Sequence, residues 1–271
     1  MENQQVLWAF GLTLFAGLST GIGSLMALVT RKTNHRFLAG ALGFSAGVMI
    51  YVSFVEIFDQ SRTILSSALG PKQGFIYTTL AFFAGMLVIG IIDKLVPSFE
   101  NPHEPKNVED ISEDKTEDIK KKKLLRMGLF SALAIAIHNF PEGMATFFAA
   151  LDNPALGVSI AIAIAIHNIP EGIAVSVPLY FATGSRKKAF IYSFLSGLAE
   201  PVGAIIGYLV LRPFMNDIIF GCIFASIAGI MVFISLDQLM PTAEKYGEHH
   251  IAVYGLVAGM AVMAMSLLLF V

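Results

Sequence analysis

Two stretches of the chain place the same polar residues inside long apolar runs. Residues 134–145 read AIAIHNFPEGMA, and residues 163–174 read AIAIHNIPEGIA. On a helix that turns about 100° per residue, the histidine, asparagine and glutamate of each copy fall within an arc of about 100°. The proline lacks an amide proton, so it also frees a carbonyl one turn earlier. The side chains in question are His138, Asn139 and Glu142 in the first copy and His167, Asn168 and Glu171 in the second.

The charges in the apolar runs are all of one sign. Glu142, Glu171 and Glu200 lie deep within these runs, and no Lys or Arg accompanies them. A charge at the centre of a bilayer costs at least about 2.5–3.5 kcal/mol, so such residues usually serve a function. Carboxylates without a basic partner need protons or a bound cation. Imidazole beside carboxylate suits Zn²⁺ or Fe²⁺ better than Mg²⁺ or Ca²⁺, so the pattern predicts a site for a borderline divalent metal ion.

The composition indicates a membrane protein. Hydrophobic residues make up 55% of the 271 residues and charged residues only 14%, whereas soluble domains carry about 25% charged residues. We predict an all-α, polytopic membrane protein with eight transmembrane helices. It forms a single transmembrane domain over residues 1–271, with a polar cytoplasmic loop at 97–123. The predicted spans are 6–29, 37–58, 74–93, 124–151, 154–182, 188–211, 214–241 and 251–271.

The distribution of basic residues gives an orientation. With eight spans, 15 of the 18 Lys and Arg residues lie on one side of the membrane, and only Arg62, Lys72 and Arg212 lie on the other. Basic loops stay in the cytoplasm. The sequence therefore predicts a multi-pass protein of the cell (inner) membrane with both termini outside.

The spans are related by internal repetition. AGVMIYVSF (46–54) resembles AGIMVFISL (228–236), and GLSTGIGSLMALV (17–29) resembles GLAEPVGAIIGYLV (197–210). Spans 1–3 thus correspond to spans 6–8, and span 4 to span 5. Because both offsets are odd, the copies run in opposite directions, which is an inverted repeat typical of transporters. Glycines four residues apart predict close helix contacts at Gly17/Gly21, Gly43/Gly47 and Gly203/Gly207.

Acidic residues also mark the ends of two spans. Glu56 and Asp59 lie near the outer end of span 2, and Asp237 lies near the cytoplasmic end of span 7. We hypothesise that Glu56 and Asp59 collect cations outside and that Asp237, with His249 and His250, receives them inside. Ordinary helix-end charges facing water are an equal alternative for Asp59 and the two histidines.

With these residues in view, the chain resembles the ZIP (Zrt-, Irt-like) metal transporters, in particular their bacterial ZupT-like zinc uptake branch. HNFPEG, HNIPEG and SGLAEPVGA carry the resemblance. It implies uptake of divalent metal into the cytoplasm by alternating access, through a binuclear site between spans 4, 5 and 6. It implies that Glu142 and Glu171 bridge two metal ions. The other implied ligands are His138 and His167 at the first ion, and Asn139, Asn168 and Glu200 at the second.

Other functions stay open at this stage. A proton relay explains the glutamates but not the paired asparagines. An intramembrane metal-dependent hydrolase would use a glutamate as base, and metal export would use the same ligands. Our prediction is a transporter and not an enzyme, without a prosthetic group, that carries Zn²⁺, with Fe²⁺, Mn²⁺ and Co²⁺ as further candidates. Divalent metal ions and the lipid bilayer are its expected partners, nucleic acid is not, and a homodimer is left open.

Overall fold

A computed structural model describes residues 2–29, 35–95, 117–214, 216–246 and 249–268. All regular elements in these ranges are helical, which confirms the predicted all-α class. The α-helices along the described residues are α1 (Glu2–Val29), α2 (His35–Val52), α3 (Asp59–Leu69), α4 (Pro71–Leu95), α5 (Glu117–Asp152), α6 (Pro154–Thr183), α7 (Arg186–Gly197), α8 (Ala199–Leu211), α9 (Asp217–Ile234), α10 (Met240–Tyr246) and α11 (His249–Leu268).

Seven helical stretches within the described ranges are long and apolar enough to cross a membrane. They are Gln4–Leu25, Arg36–Leu69, Pro71–Lys94, Pro154–Ile173, Arg186–Leu211, Asp217–Glu244 and His249–Leu268. One of the eight predicted spans, the fourth at 124–151, falls in α5, which is not among these seven. Helix α5 begins at Glu117, inside the predicted polar loop, and residues 97–116 of that loop lie outside the described residues.

Two of the long helices contain a π-helical turn in their interior. Residues Ser53–Phe58 form such a turn between α2 and α3, and residues Ser235–Leu239 form another between α9 and α10. Backbone conformation stays helical across both turns, so α2 continues into α3 and α9 into α10. A π turn inserts an extra residue into a helix and is frequent at functional sites.

The connections between neighbouring helices follow simple capping rules. Asn153 stands between α5 and α6, and its side chain accepts hydrogen bonds from the amides of Ala155 and Leu156 at 3.0 and 3.3 Å. Pro154 then occupies the first turn of α6, where its missing amide proton costs nothing. At the other end Gly184 adopts a left-handed conformation with φ of 61°. The turn at Asn153 and Pro154 joins α5 and α6 as a hairpin, and Gly184 ends α6 before α7 begins.

The helices pack as two groups. Bundle one consists of α1, α5, α6, α7 and α8, and its main contacts are α1 with α6 and α5 with both α6 and α8. Bundle two consists of α2, α3, α4, α9, α10 and α11, and its main contacts are α2 with α11 and α4 with α9. The bundles meet mainly where α2 packs on α6 and α5 on α9.

Within each bundle, glycines let neighbouring helices approach until their backbones are in contact. A side chain at Gly143 in α5 would overlap the backbone carbonyl of Glu200 in α8, and one at Gly43 in α2 would overlap that of Ala252 in α11. The predicted contacts of the paired glycines in α1, α2 and α8 are confirmed. For each described glycine with neighbours, the nearest ones belong to its own bundle. The boundary between the bundles therefore lacks such glycine contacts within the described residues.

Candidate metal centre

The two HNxPEG stretches lie at the middle of α5 and α6, so the hairpin places them side by side. Pro141 and Pro170 are both inside their helices and buried. The polar side chains around them are completely buried, although they carry charged or amide groups. Those with no exposed surface are Asn139, Glu142, His167, Asn168, Glu171 and Glu200. The side chain of His138 lies outside the described residues.

Glu142 and His167 form the first close pair of this set. Nε2 of His167 lies 3.3 Å from Oε2 of Glu142, across the α5–α6 contact. The other oxygen of Glu142, Oε1, has no hydrogen-bond partner in the described part of the chain. The ring of His167 also interacts with the backbone of Ala163, one turn earlier in α6. Glu142 thus keeps one oxygen available for a ligand.

Asn168 and Glu200 form the second close pair. The side-chain amide of Asn168 donates one hydrogen bond to the carbonyl of Ala16 at 3.0 Å and another to Oε1 of Glu200. Oδ1 of Asn168 and Oε2 of Glu200 remain without a hydrogen-bond partner among the described residues. This pair joins α6 to α8, and the backbone of α1 holds the side chain of Asn168 through the hydrogen bond to Ala16.

Asn139 repeats the arrangement of Asn168 on the neighbouring helix. Its amide nitrogen donates to the carbonyl of Ser196 in α7 at 3.2 Å, and its Oδ1 has no hydrogen-bond partner in the ranges described. In both asparagines, the backbone of another helix therefore fixes the NH₂ group. The side-chain oxygen, which is the atom that ligates metal ions, has no hydrogen-bond partner among the described residues.

The buried carboxylates of the site form a cluster of negative charge. Glu142 and Glu171 both lie close enough to His167 and Glu200 to interact with them electrostatically. Within the described residues, Glu142 and Glu200 form no ion pair with Lys or Arg. Buried charges of one sign require a counter-charge or protonation. The arrangement thus suits a divalent cation.

The described donors are grouped in pairs and not in a closed cage. No cluster of three or more His, Cys, Asp or Glu side chains that could hold a metal ion occurs in the described part of the chain. Glu142 with His167 supplies two such donors, and Asn168 with Glu200 supplies one carboxylate and one amide. The predicted third donor of the first group is His138, whose side chain is outside the description.

Some residues that shape the site were not predicted from the sequence. The hydroxyl of Ser45 in α2 is completely buried and donates to the backbone carbonyl of His167 at 3.3 Å, which links bundle two to the site. Gly143 and Gly172 follow the two glutamates and let the backbones of α8 and α1 approach closely. The repeated PEG triplet was a signal for the glycines, whereas nothing in the sequence marked Ser45.

The residues predicted at the two mouths lie where the helices become irregular. Glu56 belongs to the first π turn, is half-buried and interacts with Asp59, which is itself paired with Arg62 at 2.5 Å. Asp237 belongs to the second π turn, is exposed and interacts with Asp93.

The two predicted cytoplasmic histidines have other partners. Nδ1 of His249 lies 2.8 Å from Oε1 of Glu244, and the ring of His250 stacks on Tyr254. Both histidines are exposed. Their contacts are those of ordinary surface residues.

Comparison with known proteins gives full-length matches. A family model described as ZIP Zinc transporter matches residues 96–267. A protein named Zinc transporter ZupT from Chlorobaculum parvum is 63% identical over 268 residues, covering 99% of each chain. Proteins of the same name from Streptococcus mutans and Clostridium perfringens are 62% and 59% identical, over 99% and 98% of this chain and 100% and 97% of their own.

Proposed function

Because the chain belongs to the ZIP zinc transporter family, we propose that it is a transporter that takes up Zn²⁺ into the cytoplasm. The relatives that match over their full length are named as zinc transporters, which supports transport and gives no support to a metal-dependent hydrolase. We further propose that residues 1–271 form one multi-pass domain of the cell membrane with both termini outside.

The observation that carries this proposal is the set of unsatisfied donor atoms at the middle of bundle one. A buried polar atom without a hydrogen bond costs about 1–3 kcal/mol, so several of them together call for a ligand. A divalent cation is the ligand that oxygen and imidazole nitrogen atoms of this kind bind. The atoms are Asn139 Oδ1, Glu142 Oε1, Asn168 Oδ1 and Glu200 Oε2, and the imidazole of His167 lies beside Glu142.

We assign these donors to two neighbouring ions. The pair of Glu142 and His167, with His138, would hold the first ion. The pair of Asn168 and Glu200, with Asn139, would hold the second. Glu142 and Glu171 would bridge the two ions. The two close pairs found between helices support this division. A mixture of carboxylate, imidazole and amide ligands discriminates poorly between neighbouring divalent ions, so we expect Fe²⁺, Mn²⁺ and Co²⁺ to compete with Zn²⁺.

Alternating access is the mechanism that the packing favours. The proposed ligands all belong to bundle one, whereas the contribution of bundle two is the hydroxyl of Ser45, which donates to the backbone of His167 and supplies no proposed ligand. Glycines bring helix backbones into contact within each bundle, and the nearest neighbours of the described glycines lie in their own bundle. We propose that bundle one moves relative to bundle two and exposes the site to either side in turn.

The proposed eight spans and their inverted repeat are supported by the π turns. Alignment of 46–54 with 228–236 pairs Ser53 with Ser235, and each of these serines begins a π turn. An irregularity at the same aligned position in two helices is a signature of common origin. In the proposed topology the first turn lies near the outer surface and the second near the cytoplasm. Glu56 and Asp237 are thus our candidates for entry and exit.

A transport assay tests the proposal directly. The purified protein is reconstituted into liposomes that contain a zinc-sensitive dye, and Zn²⁺ is added outside. We expect a dye response for the wild type and its loss in Glu142→Gln, which removes a charge and keeps the side-chain volume. Asp152→Asn is the matched control, because Asp152 is an exposed carboxylate at the end of the same helix. Uptake that survives in Glu142→Gln would refute the assignment, and absence of uptake in the wild type would refute transport.

A further inference from the structure

A groove of about 400 Å³ runs between α2 and α6, at the boundary of the two bundles. Volumes of about 300–1,000 Å³ are usual for sites that hold small ligands. Apart from one arginine, its lining is apolar. The residues that form its walls include Phe37, Ala41 and Phe44 of α2 and Ile166, Ile169 and Pro170 of α6.

The arginine at one end of this groove is Arg36, which is exposed. An arginine binds phosphate oxygens with two parallel hydrogen bonds. This side chain favours a negative group at its end of the groove. It disfavours a metal cation there, and the other lining residues are apolar.

The combination of an anion-binding end and an apolar wall fits an amphiphile. In the proposed topology α2 begins at the cytoplasmic surface, where the bilayer leaflet carries anionic lipids. We propose that the groove binds an anionic phospholipid of the cytoplasmic leaflet, with the phosphate at Arg36 and one acyl chain between α2 and α6. The proposal rests on the proposed orientation of the chain but not on the assignment of the metal ligands.

The position of the groove links this lipid to transport. Ile166 and Ile169 flank His167 and Asn168, so the acyl chain lies against the same segment of α6 that carries the site. One wall belongs to each bundle, so relative movement of the bundles changes the shape of the groove.

Fluorescence quenching measures this binding without any zinc. Trp8 is the only tryptophan of the chain. A Trp8→Phe, Phe44→Trp variant therefore carries its single fluorophore in the groove. The protein is placed in vesicles that contain phosphatidylglycerol or phosphatidylcholine with brominated acyl chains. We expect brominated phosphatidylglycerol to quench the fluorescence at lower mole fraction than brominated phosphatidylcholine.

Two further variants complete the test. Arg36→Gln should reduce the preference for phosphatidylglycerol about 5-fold. Arg186→Gln, which removes an exposed arginine at the start of α7 outside the groove, should leave the preference unchanged. Ala41→Leu should fill the groove and weaken quenching by both lipids.

Three results would overturn the proposal. Equal quenching by both lipids in the wild-type groove would show that the headgroup is not selected. Absence of quenching would show that no acyl chain enters. An emission spectrum that changes with protein concentration and does not change with the lipid present would indicate that a second copy of the chain occupies the groove. None of these results bears on zinc uptake, so this proposal and the proposed function fail independently.

Discussion

The hydrogen bond from Ser45 to His167 crosses the boundary between the bundles, so its removal tests alternating access. Relative movement of the bundles must break this bond. A buried hydrogen bond contributes a net free energy of about 0.5–1.5 kcal/mol. That range corresponds to a change of about 2- to 13-fold in the equilibrium between two conformations. The length of 3.3 Å places this bond at the weaker end of the range. Ser45→Ala should therefore shift the equilibrium away from the present conformation by about 2-fold.

Distance measurements between spin labels report this equilibrium. Lys187 in bundle one and Glu244 in bundle two are exposed and receive the labels in a variant without the native cysteine. Pulsed electron resonance then gives the populations of the two conformations. We expect two distance populations whose ratio changes in Ser45→Ala. Zinc uptake by the same protein in liposomes shows whether the shift changes the transport rate.

Ser61→Ala is the matched control for this experiment. The hydroxyl of Ser61 is also completely buried and donates to the carbonyl of Gly221 at 2.7 Å, but both residues belong to bundle two. Its loss should lower the stability of the fold and leave the ratio of conformations unchanged. A folded Ser45→Ala protein with an unaltered ratio, or an equal shift in Ser61→Ala, would refute the reasoning.

Three more predictions follow from the site. Asn168→Ser should lower the zinc content of the purified protein, measured by mass spectrometry, because it removes the amide that supplies Oδ1 and that holds Glu200; Asn216→Ser, which keeps a helix cap, should not. Gly143→Ala should lower the free energy of unfolding by about 1–3 kcal/mol, seen as a lower melting temperature, whereas Gly11→Ala, with open space around it, should not. Zinc uptake should fall as the medium is acidified from neutral pH, because protons compete for imidazole and carboxylate ligands; a flat profile would contradict this.

The sequence predicted the elements of the fold better than their contacts. The span predicted at 74–93 corresponds to α4 (Pro71–Leu95), because long apolar runs are set by the thickness of the bilayer. The side chains predicted to be buried, such as Glu142 and Asn168, are buried. Hydropathy was less informative where a helix is apolar on all sides. In α11, for example, nothing in the pattern showed which face packs on α2.

Other features escaped prediction for local reasons. The π turn at Ser53–Phe58 depends on the balance of hydrogen bonds along one helix, which the residue types leave undecided. Residues 117–123 are helical, although the sequence analysis placed them in the polar loop, because a charged segment reads as a solvated loop. The contact of Ser45 with His167 joins residues far apart in the sequence, and a single serine among apolar residues carries no pattern.

The glycine contacts described above restrict how the protein can recover from damage. At Gly143 the obstacle to a larger residue is the main chain of Glu200, and a main-chain atom is present whatever residue stands there. No second substitution on α8 can remove this main-chain atom. In a genetic screen, compensating changes for Gly143→Ala should therefore be absent from the facing position and should instead loosen other contacts that hold α8 in place. We therefore expect that substitutions of the glycines in the two PEG triplets cannot be compensated by a change at the residue they face.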